Sequence, residues 1–166
     1  MKEFRGTPLK AEEFKKTIGT YWKPNLWYSW SCGVAVSRFL QELKNGRLVG
    51  RKCRMCGRIL IPPRMFCELC FRETDKWVYL KDTGHVNTYA ISYIAYDASR
   101  IKEPVIPAVI EIDGASKDMG ILHLLGEVEP EDVEIGMRVK ALFKPADERK
   151  ASITDIKYFK PLEVGK

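Results

Sequence analysis

A chain of 166 residues with 45% apolar and 30% charged side chains has the composition of a soluble globular protein. That composition excludes disordered and fibrous classes, and the length allows one ordinary domain or two very small ones. No run approaches the ~18 consecutive apolar residues of a spanning helix, and Met1–Arg5 lacks an apolar leader core, so a cytoplasmic location is expected. The net charge of +6 is uneven: residues 1–80 hold 16 basic and 7 acidic side chains and residues 81–166 hold 12 and 15, which directs any anionic partner to the front half.

Thr7-Pro8 predicts a helix start, with a side-chain cap followed by proline at the first helical position. Ala11, Phe14 and Ile18 follow at helical spacing, and Gly19 ends the run. Next comes Tyr21 to Trp30, with five aromatics in ten residues and no regular period. Such a segment either covers its own chain or binds another, and Trp22, Trp27 and Trp30 are the candidate partner contacts. Cys32, with no His near it in sequence, reads as a small buried side chain. A second helix is expected after Ser31 or Gly33, with Val36, Phe39, Leu40 and Leu43 on one face and Asn45-Gly46 as its stop.

Residues 47–77 read as a metal-held ribbon after the helical segment 1–46. Cys53/Cys56 and Cys67/Cys70 form two CxxC pairs separated by ten residues. Each turn brings two thiolates to one ion, and the two together complete the tetrahedral four-sulfur shell of structural zinc, with no open position for catalysis. A redox dithiol would require a single CxxC opening a helix, and disulfides would require an oxidising compartment. Spacing alone does not separate zinc from iron. Gly57 supplies the positive φ that a knuckle needs, and Phe71 is expected to cover the metal. Seven cations and no carboxylate lie between Lys44 and Phe66, so the basic block sits on the cysteines.

From residue 78 to residue 166 the pattern is β. Runs at His85–Tyr96, Val105–Ile112, Gly120–Val128, Met137–Phe143 and Ser152–Phe159 alternate with turn-forming segments. Five strands with a long first one fit a small closed barrel of OB type, whereas an immunoglobulin-like sandwich would need about seven. The expected fold is therefore mainly β with N-terminal helices, a rubredoxin-like zinc ribbon leading into a five-stranded OB-fold barrel.

In this arrangement the chain resembles the zinc-ribbon/OB-fold acyl-CoA-associated family, long catalogued as a domain of unknown function and found beside thiolases. The resemblance spans nearly the whole length. It is carried by Cys53-Arg54-Met55-Cys56-Gly57, Pro62-Pro63-Arg64, Cys67-Glu68-Leu69-Cys70, Gly84 and Ile135-Gly136-Met137-Arg138-Val139. Glu68 stands where family members often have Pro, and Asp82 where they have a second Gly; neither is a ligand.

The residues themselves offer little for catalysis. His85 and His123 each lie on an expected strand, with no GxSxG or HExxH motif and no Gly-rich phosphate loop around them. The resemblance implies a non-catalytic subunit or scaffold that docks on a thiolase-like or hydroxymethylglutaryl-CoA synthase-like enzyme and holds an acyl-CoA. Coenzyme A offers an adenine to stack and phosphates for cations. OB barrels meet ligands at the loops joining strands 1 to 2 and 4 to 5, which points to Arg100, Lys102, Lys144, Arg149 and Lys150, with Arg64 of the ribbon. The alternative is a single-stranded nucleic-acid-binding protein, which would use a basic barrel groove with aromatic platforms. The net-negative barrel half opposes it.

Overall fold

The computed structural model describes residue 6 and residues 8–19, 24–95 and 97–162. Thr7 and Trp22 lie outside the described residues. The chain divides into two compact units, residues 1–31 and 32–166.

In the first unit, helix α1 spans Ala11–Gly19. It begins later than Pro8 because the capping group is Glu13, whose carboxylate accepts the Lys10 N–H at 3.1 Å while the Lys10 carbonyl accepts Phe14 N–H at 2.9 Å. Phe14 and Ile18 are exposed.

The second unit opens with helix α2, Gly33–Lys44. Its buried stripe is Ala35, Phe39, Glu42 and Leu43, so the face is rotated from the expected one and Val36 is exposed. The ribbon follows as β1 (Leu48–Lys52), β2 (Ile59–Leu60), β3 (Phe66–Cys67), β4 (Arg72–Glu73) and β5 (Lys76–Leu80). Strands β2, β1 and β5 form an antiparallel sheet in that order, and β3 pairs with β4.

The barrel strands are β6 (Thr83–Tyr89), β7 (Ser92–Ile94), β8 (Arg100–Val105), β9 (Pro107–Ile112), β10 (Gly120–Leu124), β11 (Arg138–Phe143) and β12 (Ile156–Pro161). Five of them hydrogen-bond in the order β10-β9-β6-β11-β12. A parallel bridge between Leu125 and Phe159, with Gly126 N–H donating to the Phe159 carbonyl at 2.9 Å, joins the two edges. Closure removes the free sheet edges, as an OB barrel does.

The expected first strand is broken at Ala90-Ile91, and the expected loop after it is largely a second hairpin, β7 with β8. Pro104 is tolerated there because β8 pairs on one side only. Strand β12 starts at Ile156 rather than Ser152, since Ser152 and Asp155 form a capping box on a 3-10 turn. Gly84 and Gly120 flank β9: an added Cβ would come within 2.1 Å of the Glu111 carbonyl oxygen from one side and 2.4 Å of the Ile110 oxygen from the other.

One core unites helix, ribbon and barrel. Phe39 and Leu43 of α2 and Leu48, Val49, Leu60 and Ile61 of the ribbon are buried in the same cluster as Val86, Ile110, Val139, Ile156 and Phe159. At the ribbon's edge, Ser116 Oγ accepts Ile59 N–H at 2.9 Å and Ile59 carbonyl accepts Ser116 N–H at 3.0 Å, tying β2 to the β9–β10 turn.

The same turn is locked across the barrel. Asp113 accepts Arg138 Nη1 at 2.9 Å and also bonds Arg138 Nη2 and Thr83 Oγ1. Arg138 first, and then Thr83, hold its carboxyl at about 2 against an ordinary 3.8. A depressed folded pKa means that the stabilisation is present above the ordinary value and is lost as pH falls through the folded one. Urea titrations should therefore show stability declining between pH 3.8 and about 2, with Asp113→Asn flattening that limb. An identical acid limb in the variant would disprove the contribution.

Candidate functional site

The cysteines are set by two matching turns. After β1, Cys53 N–H donates to the Arg58 carbonyl at 2.8 Å and Gly57 N–H to the Cys53 carbonyl at 2.9 Å, with Gly57 at φ 75°. In the second turn Phe71 takes the equivalent place at φ 49°. Phe71 is 81% exposed and its ring meets the edge of Phe66 at a 6.4 Å centroid distance, so it is little packed against the chain, unlike the expected cover over the metal. Phe71 has the backbone role of Gly57.

All four Sγ atoms lie within 4.8 Å of one another. Zinc at ~2.3 Å from each sulfur implies a tetrahedral edge of about 3.8 Å. Cys56 Sγ and Cys67 Sγ stand 3.7 Å apart, which fits that edge and is far from a covalent S–S bond. The backbone N–H groups of Cys56 and then Met55 lower the Cys53 thiol to about 7, favouring the thiolate, although burial opposes them. Burial first, and then the other three sulfurs, push Cys70 up to about 12, so four adjacent thiolates require a cation. The set fits a structural zinc, with Cys53, Cys56, Cys67 and Cys70 as its holders.

The basic block is not uniform. Arg51 is 7% exposed, donates Nε to Thr74 Oγ1 at 2.6 Å and stacks on Trp77. It is a strut rather than a surface cation. Arg58 pairs with Glu68 at 2.7 Å and Arg64 with the same carboxylate at 3.4 Å, so Glu68 clamps both arginines beside the second knuckle.

Among the other candidate anion contacts, Arg100 and Lys102 lie on β8, two residues apart and both exposed, not in a loop. Lys144, Arg149 and Lys150 do lie in the β11–β12 connection. Arg149 is committed to structure: Nε donates to the Lys144 carbonyl at 2.6 Å, Nη1 reaches the Lys44 carbonyl at 3.4 Å, and the guanidinium stacks on Phe143. Lys150 shares a cleft with Asp147, Glu148 and Asp155, whose carboxylates offset it.

Lys144 also borders an apolar groove of about 420 Å³ lined by Leu122, Leu124, Ile153, His123 and Lys157. No motif marked this groove, because its walls come from β10, the turn before β12 and β12 itself. His123 Nε2 is 3.3 Å from the Ile153 carbonyl oxygen, and burial lowers its pKa. His85 Nε2 lies 3.7 Å from Glu111 Oε2.

Trp27 and Trp30 are 91% and 79% exposed. Trp27 Nε1 donates to Asn25 Oδ1 at 3.1 Å, and Trp30 meets Tyr28 edge-on at 5.2 Å. Cys32 is exposed rather than buried, because it stands at the N-cap of α2. No described helix is long and apolar enough to cross a membrane.

Two family models match: residues 40–75 fit the ChsH2 rubredoxin-like zinc ribbon domain, and residues 77–144 fit the ChsH2 C-terminal OB-fold domain. A DUF35 domain-containing scaffold protein of Methanocaldococcus jannaschii is 33% identical over 119 residues, covering 70% of this chain and 82% of that protein. A protein of the same name from Methanothermobacter thermautotrophicus is 27% identical over 61% of this chain and 74% of its own. Among solved structures, a DUF35 protein of unknown function from Sulfolobus solfataricus superposes with a TM-score of 0.57 at 32% identity, covering 66% of this chain and 78% of that one. A structure titled Ltp2-ChsH2(DUF35) aldolase matches in fold with a TM-score of 0.58 at 22% identity, covering 80% of this chain and 98% of that one.

Proposed function

The chain belongs to the DUF35 family of zinc-ribbon/OB-fold proteins, and on that premise we propose that it is a non-catalytic scaffold subunit that docks on a thiolase-like or hydroxymethylglutaryl-CoA synthase-like condensing enzyme and holds its acyl-CoA. The exposed segment Leu26–Trp30 carries this reading. Two tryptophans, a tyrosine and a leucine stand in solvent along five residues, and such rings serve as anchors in partner pockets. The names of the relatives, scaffold proteins, and of the fold neighbour, an aldolase with a DUF35 component, support an assembly role.

Acyl-CoA suits the barrel chemically. The apolar groove bordered by Lys144 and Lys157 matches an acyl or pantetheine chain running toward phosphate. Arg100, Lys102, Lys144 and Lys150 are the proposed phosphate contacts, with Arg64 lending charge from the ribbon and Arg149 holding the loop that carries its two neighbours.

Native mass spectrometry of the purified complex tests partner and ligand together. The expected species contains this chain, a condensing enzyme and a coenzyme A thioester. Trp27→Ala and Trp30→Ala, with Trp22→Ala alongside, should weaken co-purification about 30-fold at the anchoring position, while zinc content and melting stay unchanged. Normal co-purification of all three variants would overturn the docking role of the segment.

A further inference from the structure

Strand register places two lysines against each other beside the metal centre. Lys52 and Lys76 are direct Cα partners at the open end of the β1–β5 ladder, and both are exposed. Residues opposite one another in an antiparallel pair project to the same face, and a like-charged pair there is destabilising. Neither lysine has a carboxylate partner among the described residues. Arg54, just past Cys53, borders the same cleft with its side chain 73% exposed.

The cleft has a volume of about 300 Å³ and is lined by Lys52, Arg54, Asp75 and Lys76. Asp75 is its one lining carboxylate, and it is already engaged: it accepts the Arg54 N–H and pairs with Arg72 at 3.0 Å and Arg54 Nε at 3.7 Å. Those bonds hold the Arg54 backbone over the cleft and leave the cations in excess. Three cations bordering one concave space, from two strands and a knuckle, can each donate to a different oxygen of a diphosphate.

We propose that Lys52, Arg54 and Lys76 form a binding site for the phosphate groups of a small phosphate ester, with a diphosphate as the best-fitting group. The cleft size lies at the lower end of ligand sites and accommodates a compact anion rather than a polymer. The site stands on ribbon geometry alone and does not need the partner enzyme.

Calorimetry on the full zinc-loaded chain, with inorganic pyrophosphate as the probe and zinc content checked after titration, tests it. Binding should be saturable and salt-dependent, and pyrophosphate should raise the melting temperature. Lys52→Gln and Lys76→Gln should each weaken binding at least about tenfold. Each should also raise the ligand-free melting temperature, because the repulsive pair is gone. Lys117→Gln, which removes one exposed charge elsewhere, should change neither quantity. Absence of pyrophosphate binding, or equal weakening by Lys117→Gln, would overturn the site. Tighter cleft-dependent binding of a twelve-nucleotide thymidine strand than of pyrophosphate would overturn the compact-ligand assignment.

Discussion

Replacing Cys53 with serine is expected to release the zinc and unfold the ribbon, the largest effect of any single substitution in this chain. Serine does not supply the thiolate that the tetrahedral cage needs, and three sulfurs 3.7 to 4.8 Å apart then lack the cation that makes their proximity tolerable. The segment around the cysteines has only two-residue strands at β2, β3 and β4, too little to bury a core of its own. Metal binding worth on the order of 10 kcal/mol therefore supplies its folding free energy. The damage should not stop at the ribbon, because Leu48, Val49, Leu60 and Ile61 form one wall of the barrel's core. Elemental analysis should show zinc falling from about one per chain toward none, with a broadened, lowered melting transition by circular dichroism. Wild-type zinc content in Cys53→Ser would sink the assignment.

Phe159→Ala is expected to give the second largest loss, and to do so with zinc retained. Phe159 is fully buried, pairs with Leu125 in the parallel bridge that closes the barrel, and accepts Gly126 N–H at 2.9 Å through its carbonyl. Its ring also meets His123 edge-on at 5.9 Å. Truncation leaves a cavity at the closure point costing about 3–5 kcal/mol. That corresponds to a fall in melting temperature of roughly 6–20 °C for a chain of this size. The backbone closure remains available to alanine, so the variant should still fold and bind metal. Loss of zinc together with the melting shift would show that ribbon and barrel are not separable in this way.

The two substitutions act on features that differ in how legible they are. The ligand set could be read from spacing, because a CxxC turn is a local event whose geometry depends on four consecutive residues. The five barrel runs were legible as alternation, and Gly84 only as part of the family resemblance; the Glu111 carbonyl oxygen facing it is what requires glycine there. Positions that depend on a partner strand were not legible. Arg51 counts in the sequence as one of the seven cations of the basic block, and only its β5 pairing and its bond to Thr74 show that it is buried. Cys32 read as buried by residue type, whereas its place at a helix N-cap exposes it. Arg100 and Lys102 read as loop residues because Pro104 marks a break, yet an edge strand tolerates proline and the hairpin forms around it.

What the amino-acid order determines here is whatever rests on short sequence separations: four metal ligands, two helices, the alternation of five strands and the uneven distribution of charge. The tertiary structure alone decides which cations act together. Lys52 and Lys76 stand 24 positions apart and become neighbours through the β1–β5 register, while Arg149, one residue from Lys150, is drawn to the end of α2. Charge interactions are screened beyond about 10 Å in space, so long-range pairing, which no local pattern encodes, selects the groups that meet a ligand.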